Sequence, residues 1–238
     1  LVVHASNFKQ TGFVHSPTIA ELVNIGIEKG IPIIHDLGSG CFVDTTKFGL
    51  PLEPTPKESI LHGVSLAMFS GDKLLGGPQC GIIVGKKEVI EKLNRHPLYR
   101  AIRIDKVNLA GLTATLLHYV QEDHLEKIPV LKMISQTESG LRLRSLNWQQ
   151  SIGKSAKIIK GYSTIGGGSM PEETLPTWLL AVSGKKNLIG PQMVFDLLRK
   201  YDPPIIGRIE NDMLLLDPRT VLPKYDDLII SALSKILS

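Results

Sequence analysis

Ser65-Leu-Ala-Met-Phe-Ser-Gly-Asp-Lys-Leu-Leu-Gly-Gly-Pro-Gln-Cys-Gly81 is the stretch on which the reading of the fold turns. The apolar run Val64 to Phe69 has the length and composition of a buried strand. It stops at Ser70-Gly71, and Lys73 stands just beyond it, ahead of Gly76-Gly77-Pro78. A lysine in that position is held at a strand end, on backbone that lets a ligand come close. This suits an amine that reacts rather than one that solvates a surface. To react, the amine must spend time neutral, which means leaving bulk water or sitting near other cations.

Working outward, the flanking segments make a parallel sheet. Leu1 to Ala5 reads as a short buried strand, and Ile31 to Leu37 as a second. Between them a helix is expected from Thr18 to Lys29. Thr18 and Glu21 have capping-box spacing, and Gly30 stops the helix. Strand, helix and strand in this succession form the βαβ signature. A short helix is expected over 57–62, a fourth strand over Gly81 to Val84, and a helix from Lys86 to Asn94. A polar, arginine-bearing segment then runs to Lys106. Helical patterns follow over 107–123 and from Pro129 to about Arg144. Beyond this the pattern changes. Strands are expected over 162–168 and 177–183, around a glycine-rich loop, and a helix over 191–200 with Pro191 in its first turn. A hairpin is expected over 205–210 and 213–216 across Asn211-Asp212, with a closing helix over 225–237. The expectation is an α/β chain whose large, mainly parallel domain covers residues 1–140, followed by a small α+β domain over 141–238.

Bulk properties narrow the function classes. The 238 residues include 42% hydrophobic ones, enough for a sizeable core. The net charge of +4 permits contact with an anion such as tRNA without requiring it. No run of 18 apolar residues occurs, so no membrane span is expected. Cys41 and Cys80 fall in no metal-binding spacing and read as free thiols.

Spacing supplies the chemistry. Asn7 follows the first strand, Asp36 ends the second and Lys73 lies beyond the third. In open α/β sheets ligands bind outside the carboxyl ends of strands, so these side chains can converge. A lysine amine and a carboxylate so placed suit pyridoxal 5'-phosphate, as in fold-type-I enzymes. Lys73 would form the Schiff base and Asp36 would keep the pyridinium nitrogen protonated. Asn7 and Ser39 are placed to bond the ring's phenolic oxygen, and Ser70 the phosphate. His35 precedes Asp36, so alternation turns it to the other sheet face as a core histidine.

Several segments together carry a family likeness: Asp36-Leu-Gly-Ser-Gly40, Phe69-Ser-Gly-Asp-Lys-Leu-Leu-Gly-Gly-Pro-Gln79 and Gly81-Ile-Ile-Val-Gly85. His4-Ala-Ser-Asn-Phe8, His96-Pro-Leu-Tyr-Arg-Ala-Ile-Arg103, Ile165-Gly-Gly-Gly-Ser169 and Pro204-Ile-Ile-Gly-Arg-Ile209 extend it. On these motifs the chain resembles bacterial selenocysteine synthases, across essentially its whole length. The resemblance implies a fold-type-I enzyme that turns seryl-tRNA(Sec) into selenocysteinyl-tRNA(Sec). It would do so through a dehydroalanyl intermediate on pyridoxal phosphate, with selenophosphate as donor. It implies Lys73 as the cofactor lysine and Arg100 and Arg103 as anion-binding arginines of the substrate cleft. It also implies cytoplasmic homo-oligomers built from dimers, with an N-terminal domain that grips the tRNA. Arg208 is a weaker candidate for a substrate contact.

The chain departs from the family pattern at Lys9, where arginine is expected, and at Cys80, where a small residue is usual. It opens on Leu1 inside a strand, so a preceding portion is expected, holding the tRNA grip and a phosphate loop. Without it the chain is expected to hold the cofactor poorly and to be inactive alone. Two alternatives stay open: a pyridoxal phosphate lyase acting on a free amino acid or amino sugar acid without tRNA, and a non-catalytic tRNA-binding or assembly partner.

Overall fold

The computed structural model describes residues 1–183 and 189–237. They form two units, one of Leu1–Lys132 with Ile165–Glu173, the other of Met133–Thr164 with Thr174–Ser238.

The first unit is built on a sheet of β1 (Val2–Val3), β2 (Ile34–Gly38), β3 (Leu66–Ser70) and β4 (Gly81–Gly85), in that order. The first three strands run parallel, and β4 returns antiparallel beside β3. The expected crossover helix is α1 (Ile19–Lys29). Thr18 accepts the Glu21 N–H while the Glu21 carboxylate reaches back to the Thr18 N–H, so two orphan donors are satisfied at once. Gly30 closes α1 in the left-handed conformation. A second capping box, Thr55 with Glu58, starts α2 (Pro56–Leu61) between β2 and β3. Val23 of α1 packs with Leu37, Val64, Ala67, Phe69 and Leu75 into one buried cluster, joined by Leu112, Leu116 and Tyr119. Those last three lie on α5 (Lys106–Val120), which follows α3 (Lys87–Arg95) and α4 (Pro97–Ile102). The short helices α6 (His124–Lys127) and α7 (Pro129–Ile134) come next.

The polar segment expected before Lys106 is in fact helical over α4. Pro97 stands at its first position, where the missing N–H costs nothing, and His96 accepts the Leu98 N–H as the cap. The helical run from Pro129 to Arg144 is broken in two, because Thr137 caps a new helix, α8 (Glu138–Ile152), by accepting the Gly140 N–H.

The second unit carries an antiparallel sheet of β5 (Ala156–Thr164), β6 (Thr174–Val182), β7 (Arg208–Glu210) and β8 (Met213–Leu216), in the order β5-β6-β8-β7. β5 lies earlier than the expected strand at 162–168. Its pairing with β6 runs from Ala156↔Val182 to Thr164↔Thr174, and it ends where Gly166 and Gly168 take positive φ. The β7–β8 hairpin turns on Asn211 and Asp212, both with positive φ as a two-residue turn of primed type demands. α8, α9 (Pro191–Arg199) and α10 (Asp226–Leu237) supply the rest of the core. Trp148, Leu180, Val194, Leu198, Leu214 and Leu233 are all fully buried there. Among the described residues no helix is long and apolar enough to cross a membrane.

Candidate active site around Lys73

Asp36 and Gly38 stand on β2 at the carboxyl edge of the parallel strands, and Lys73 follows β3 just beyond its end. Val3, Asp36 and Met68 stand in register across β1, β2 and β3. The β2–β3 register then slips, since Asp36 pairs with Met68 but Gly38 with Phe69. Such a bulge re-aims the side chains around it. His35 and Leu37 on either side of Asp36 are buried, while Asp36 itself stays half-exposed. Its Oδ1 accepts the Gly38 N–H at 3.2 Å, which orients the carboxylate along the strand end.

Gly38 links that carboxylate to the amine. A Cβ on Gly38 would lie in ordinary contact with Lys73 Nζ, at 3.8 Å, but 2.6 Å from Ser6 Oγ, which would have to move. Gly38 also has φ +67, which L side chains rarely adopt. On its other flank the lysine meets the segment 165–173, which packs with the first unit. A Cβ on Gly168 would stand 3.1 Å from Lys73 Cε and 3.4 Å from Nζ. The turn bearing Lys73 is held from three directions. Leu74 N–H donates to Ser39 O at 3.0 Å, Gly76 N–H to Lys73 O at 3.0 Å, and the Tyr119 hydroxyl of α5 to Leu75 O at 3.0 Å. Lys73 thus opens on a cleft of about 330 Å3 lined also by Asp72, Leu74, Gly76, Gly77, Ile165, Gly166 and Ser169.

The remaining expected residues fall at differing distances from this centre. Ser39 is fully buried and its Oγ has no hydrogen-bond partner among the described residues. Ser70, half-buried, ends β3 and pairs with Gly81. Asn7 follows β1 on exposed chain. Arg100 lies in the last turn of α4 and Arg103 is its C-cap, with extended backbone. Both are exposed, and neither lines the cleft beside Lys73. Arg208 belongs to the second unit, where it is exposed on β7, 3.5 Å from Glu210 and donating to Tyr162 O at 3.3 Å. His35 is the buried core histidine expected of it. Its Nδ1 lies 3.0 Å from Ser59 Oγ, and burial, aided by the nearby His4, lowers its pKa.

Sequence reasoning missed three side chains here. Ser6 is buried against Gly38, and Ser169 is buried in the cleft. Glu53 is buried with its Oε1 3.3 Å from His4 Nε2, at an angle that makes no hydrogen bond. A small hydroxyl carries no periodic signal, although Ser6 and Ser169 both sat in quoted motifs.

The two thiols differ in a testable way. Cys41 is buried, donates to Val43 O at 3.2 Å, and is pushed up to about 11 by burial. Cys80 is half-buried, its pKa raised by burial and by the Asp72 charge. Iodoacetamide at pH 8 should therefore modify Cys80 at least ~10-fold faster than Cys41, which should react only on unfolding, since the thiolate is the nucleophile. Peptide mass spectrometry over time would reveal equal rates if the burial of Cys41 did not protect it.

Comparison with known proteins agrees with this architecture. The family model described as L-seryl-tRNA selenium transferase matches residues 1–222. Among curated proteins, the L-seryl-tRNA(Sec) selenium transferase of Alkaliphilus oremlandii is 42% identical over 243 aligned positions, covering 100% of this chain and 52% of that protein. That of Geobacter sulfurreducens is 43% identical, covering 100% and 53%. The chain thus spans about half the length of the curated relatives it matches. Among solved structures, D-glucosaminate-6-phosphate ammonia-lyase shares the fold, with a TM-score of 0.59 at 21% identity over 99% of this chain and 56% of that one. With the family model spanning both units, the chain belongs to the L-seryl-tRNA selenium transferase family.

Proposed function

We propose that the protein bearing this chain converts seryl-tRNA(Sec) into selenocysteinyl-tRNA(Sec), with selenophosphate as selenium donor and pyridoxal 5'-phosphate as cofactor. The observation that carries this reading is the Lys73 amine, lodged between Gly38 and Gly168, where an added methyl on Gly168 would crowd the lysine side chain. The residues present fit the cofactor. An amine, a strand-end carboxylate held by a backbone N–H, and a buried hydroxyl without a partner, Ser39 Oγ, are the complementary groups it needs. Lys73 would hold it, Asp36 would keep its ring nitrogen protonated, and Ser39, Ser70 and Asn7 would supply hydrogen bonds. When bound, the cofactor supplies an electron sink for negative charge at the substrate α-carbon.

The chain's own groups then have separable tasks. Lys73 Nζ takes the proton from the seryl α-carbon and returns one during the addition. Gly38 and Gly168 keep bulk away from that amine. Arg100 and Arg103 offer planar forks of donors to the anionic selenium donor, which a lysine ammonium matches less well. Exposed Leu98, Tyr99 and Ile102 on α4 and Val107 on α5 support assembly from several copies of the chain.

An experiment separates the two halves of the reaction. Arg100→Ala should leave serine dehydration unchanged and raise the KM for selenophosphate by about 10- to 100-fold, the worth of a hydrogen bond to a charged group. Dehydration is read as loss of seryl-tRNA in the absence of donor, and the second step as incorporation of selenium. Equal loss in both would make Arg100 a structural residue and remove it from the reading.

A further inference from the structure

We propose that Ser169 is a substrate-contacting residue, whose hydroxyl donates a hydrogen bond to the acyl carbonyl oxygen of an esterified amino acid held beside Lys73. This rests on the reading that Lys73 works on an aminoacyl ester. Ser169 is 4% exposed, and its Oγ has no hydrogen-bond partner among the described residues. A buried hydroxyl left unpaired bears its desolvation cost uncompensated, so the position calls for a ligand that pairs it. Ser169 lines the cleft that Lys73 lines.

Its placement is set by the chain around it. Gly168, the residue before it, lies against Lys73 with φ +79, and a Cβ there would stand 3.1 Å from Lys73 Cε. Met170, the residue after it, is buried, and Glu173 accepts from Lys9 Nζ at 3.0 Å. The hydroxyl is therefore carried on backbone that touches the reacting lysine and is pinned on both sides.

The lining of the cleft selects the class of acceptor. The exposed carboxylate of Asp72 shares the wall with Ser169, and Leu74, Pro129, Val130 and Ile165 make much of the rest. One neutral hydroxyl does not offset the desolvation of a free substrate carboxylate in such a setting, and Asp72 repels it. An ester carbonyl is neutral in the ground state and enters without that cost. As Lys73 Nζ takes the α-proton, the C–H bond breaks and an N–H bond forms. The released electron pair spreads in part onto the acyl oxygen. A donor at that place would stabilise the charge as it develops. Ser169 would thereby favour an ester over a free amino acid.

The test uses the protein bearing this chain, loaded with pyridoxal phosphate, and its Ser169→Ala and Ser169→Thr variants. Ser169→Ala should lower kcat for serine dehydration by roughly 100-fold, the scale for removing one such donor. Cofactor affinity, titrated by visible absorbance, should not change, and Ser169→Thr should restore most of the rate. Binding of L-alanine methyl ester, which cannot eliminate, should weaken by about 10-fold, in keeping with the loss of one hydrogen bond. Binding of L-alaninol, which lacks the acyl oxygen, should stay the same. If Ser169→Ala has no cooperative thermal transition, Ser169→Cys carries the same expectation, as its thiol is a weak donor. Weaker cofactor retention with normal turnover once loaded, an equal loss for alaninol, or no change in either would overturn the proposal. Those outcomes leave the wider reading standing if wild-type turnover is intact. Failure of the wild type to dehydrate seryl-tRNA would sink both.

Discussion

Lys73→Ala should abolish serine dehydration, by about 10^4-fold or more, while the first unit keeps its thermal midpoint. The two halves of that expectation have different causes. Turnover is lost because no other described lysine lines the cleft, and the proton at the α-carbon needs a neutral amine at that spot. Stability is kept because the side chain lies half-exposed along Gly38 and Gly168 rather than in the buried cluster of Leu37, Phe69 and Leu75. Lys73→Arg should fail as thoroughly, since a guanidinium stays protonated at any working pH. A direct assay needs no tRNA. Borohydride added to the protein with pyridoxal phosphate should fix one pyridoxyl group, and peptide mapping should place it on Lys73. A label on another lysine, or turnover surviving in Lys73→Ala, would remove the chemical basis of the proposed reaction.

In the second unit, Arg219→Met should cost about 3–5 kcal/mol, the scale for stripping one partner from a buried charged network. Arg219 is 4% exposed. Its Nη1 donates to Met133 O at 2.9 Å and Gln136 O at 3.2 Å, its Nη2 to Pro176 O at 2.7 Å, and its Nε to Ser163 Oγ at 3.1 Å. Asp217 beside it accepts from Ser163 Oγ at 2.6 Å, from Thr177 Oγ1 at 2.9 Å and from the Arg219 N–H at 3.0 Å. Burial lowers the Arg219 pKa and the Asp217 charge opposes that, as expected of a cation whose desolvation is offset by its neighbours. Methionine fills much of the space but leaves the carbonyls of Met133, Ile134, Gln136 and Pro176 and the Ser163 hydroxyl short of a donor, and the Asp217 charge without its cation. Urea unfolding followed by the fluorescence of buried Trp148 would read the loss. A double-mutant cycle with Asp217→Asn should be strongly non-additive, because the two residues share Ser163. A loss under about 1 kcal/mol would mean that water replaces the guanidinium, as at an exposed pair.

The sequence by itself determined what depends on neighbours along the chain. Thr18 with Glu21 announced the start of α1, Gly30 its end, and the apolar runs before Asp36 and Lys73 placed both residues at the carboxyl ends of strands. These signals are local, because caps, turns and side-chain alternation act over a few residues. Where local signals conflicted, the reading slipped. Lys157 and Lys160 broke the apolar pattern of β5, although its nine residues pair along β6. The stretch before Lys106 read only as a polar segment, although Pro97 starts α4 within it. Only the tertiary structure decided that segment 165–173 packs with the first unit, that Gly168 closes on Lys73, and that Ser39 and Ser169 are buried without partners. It alone joined Arg219 to the carbonyls of Met133 and Pro176. Contacts between residues far apart in the chain leave no period in the sequence, because packing and hydrogen bonding select them only once the chain has folded.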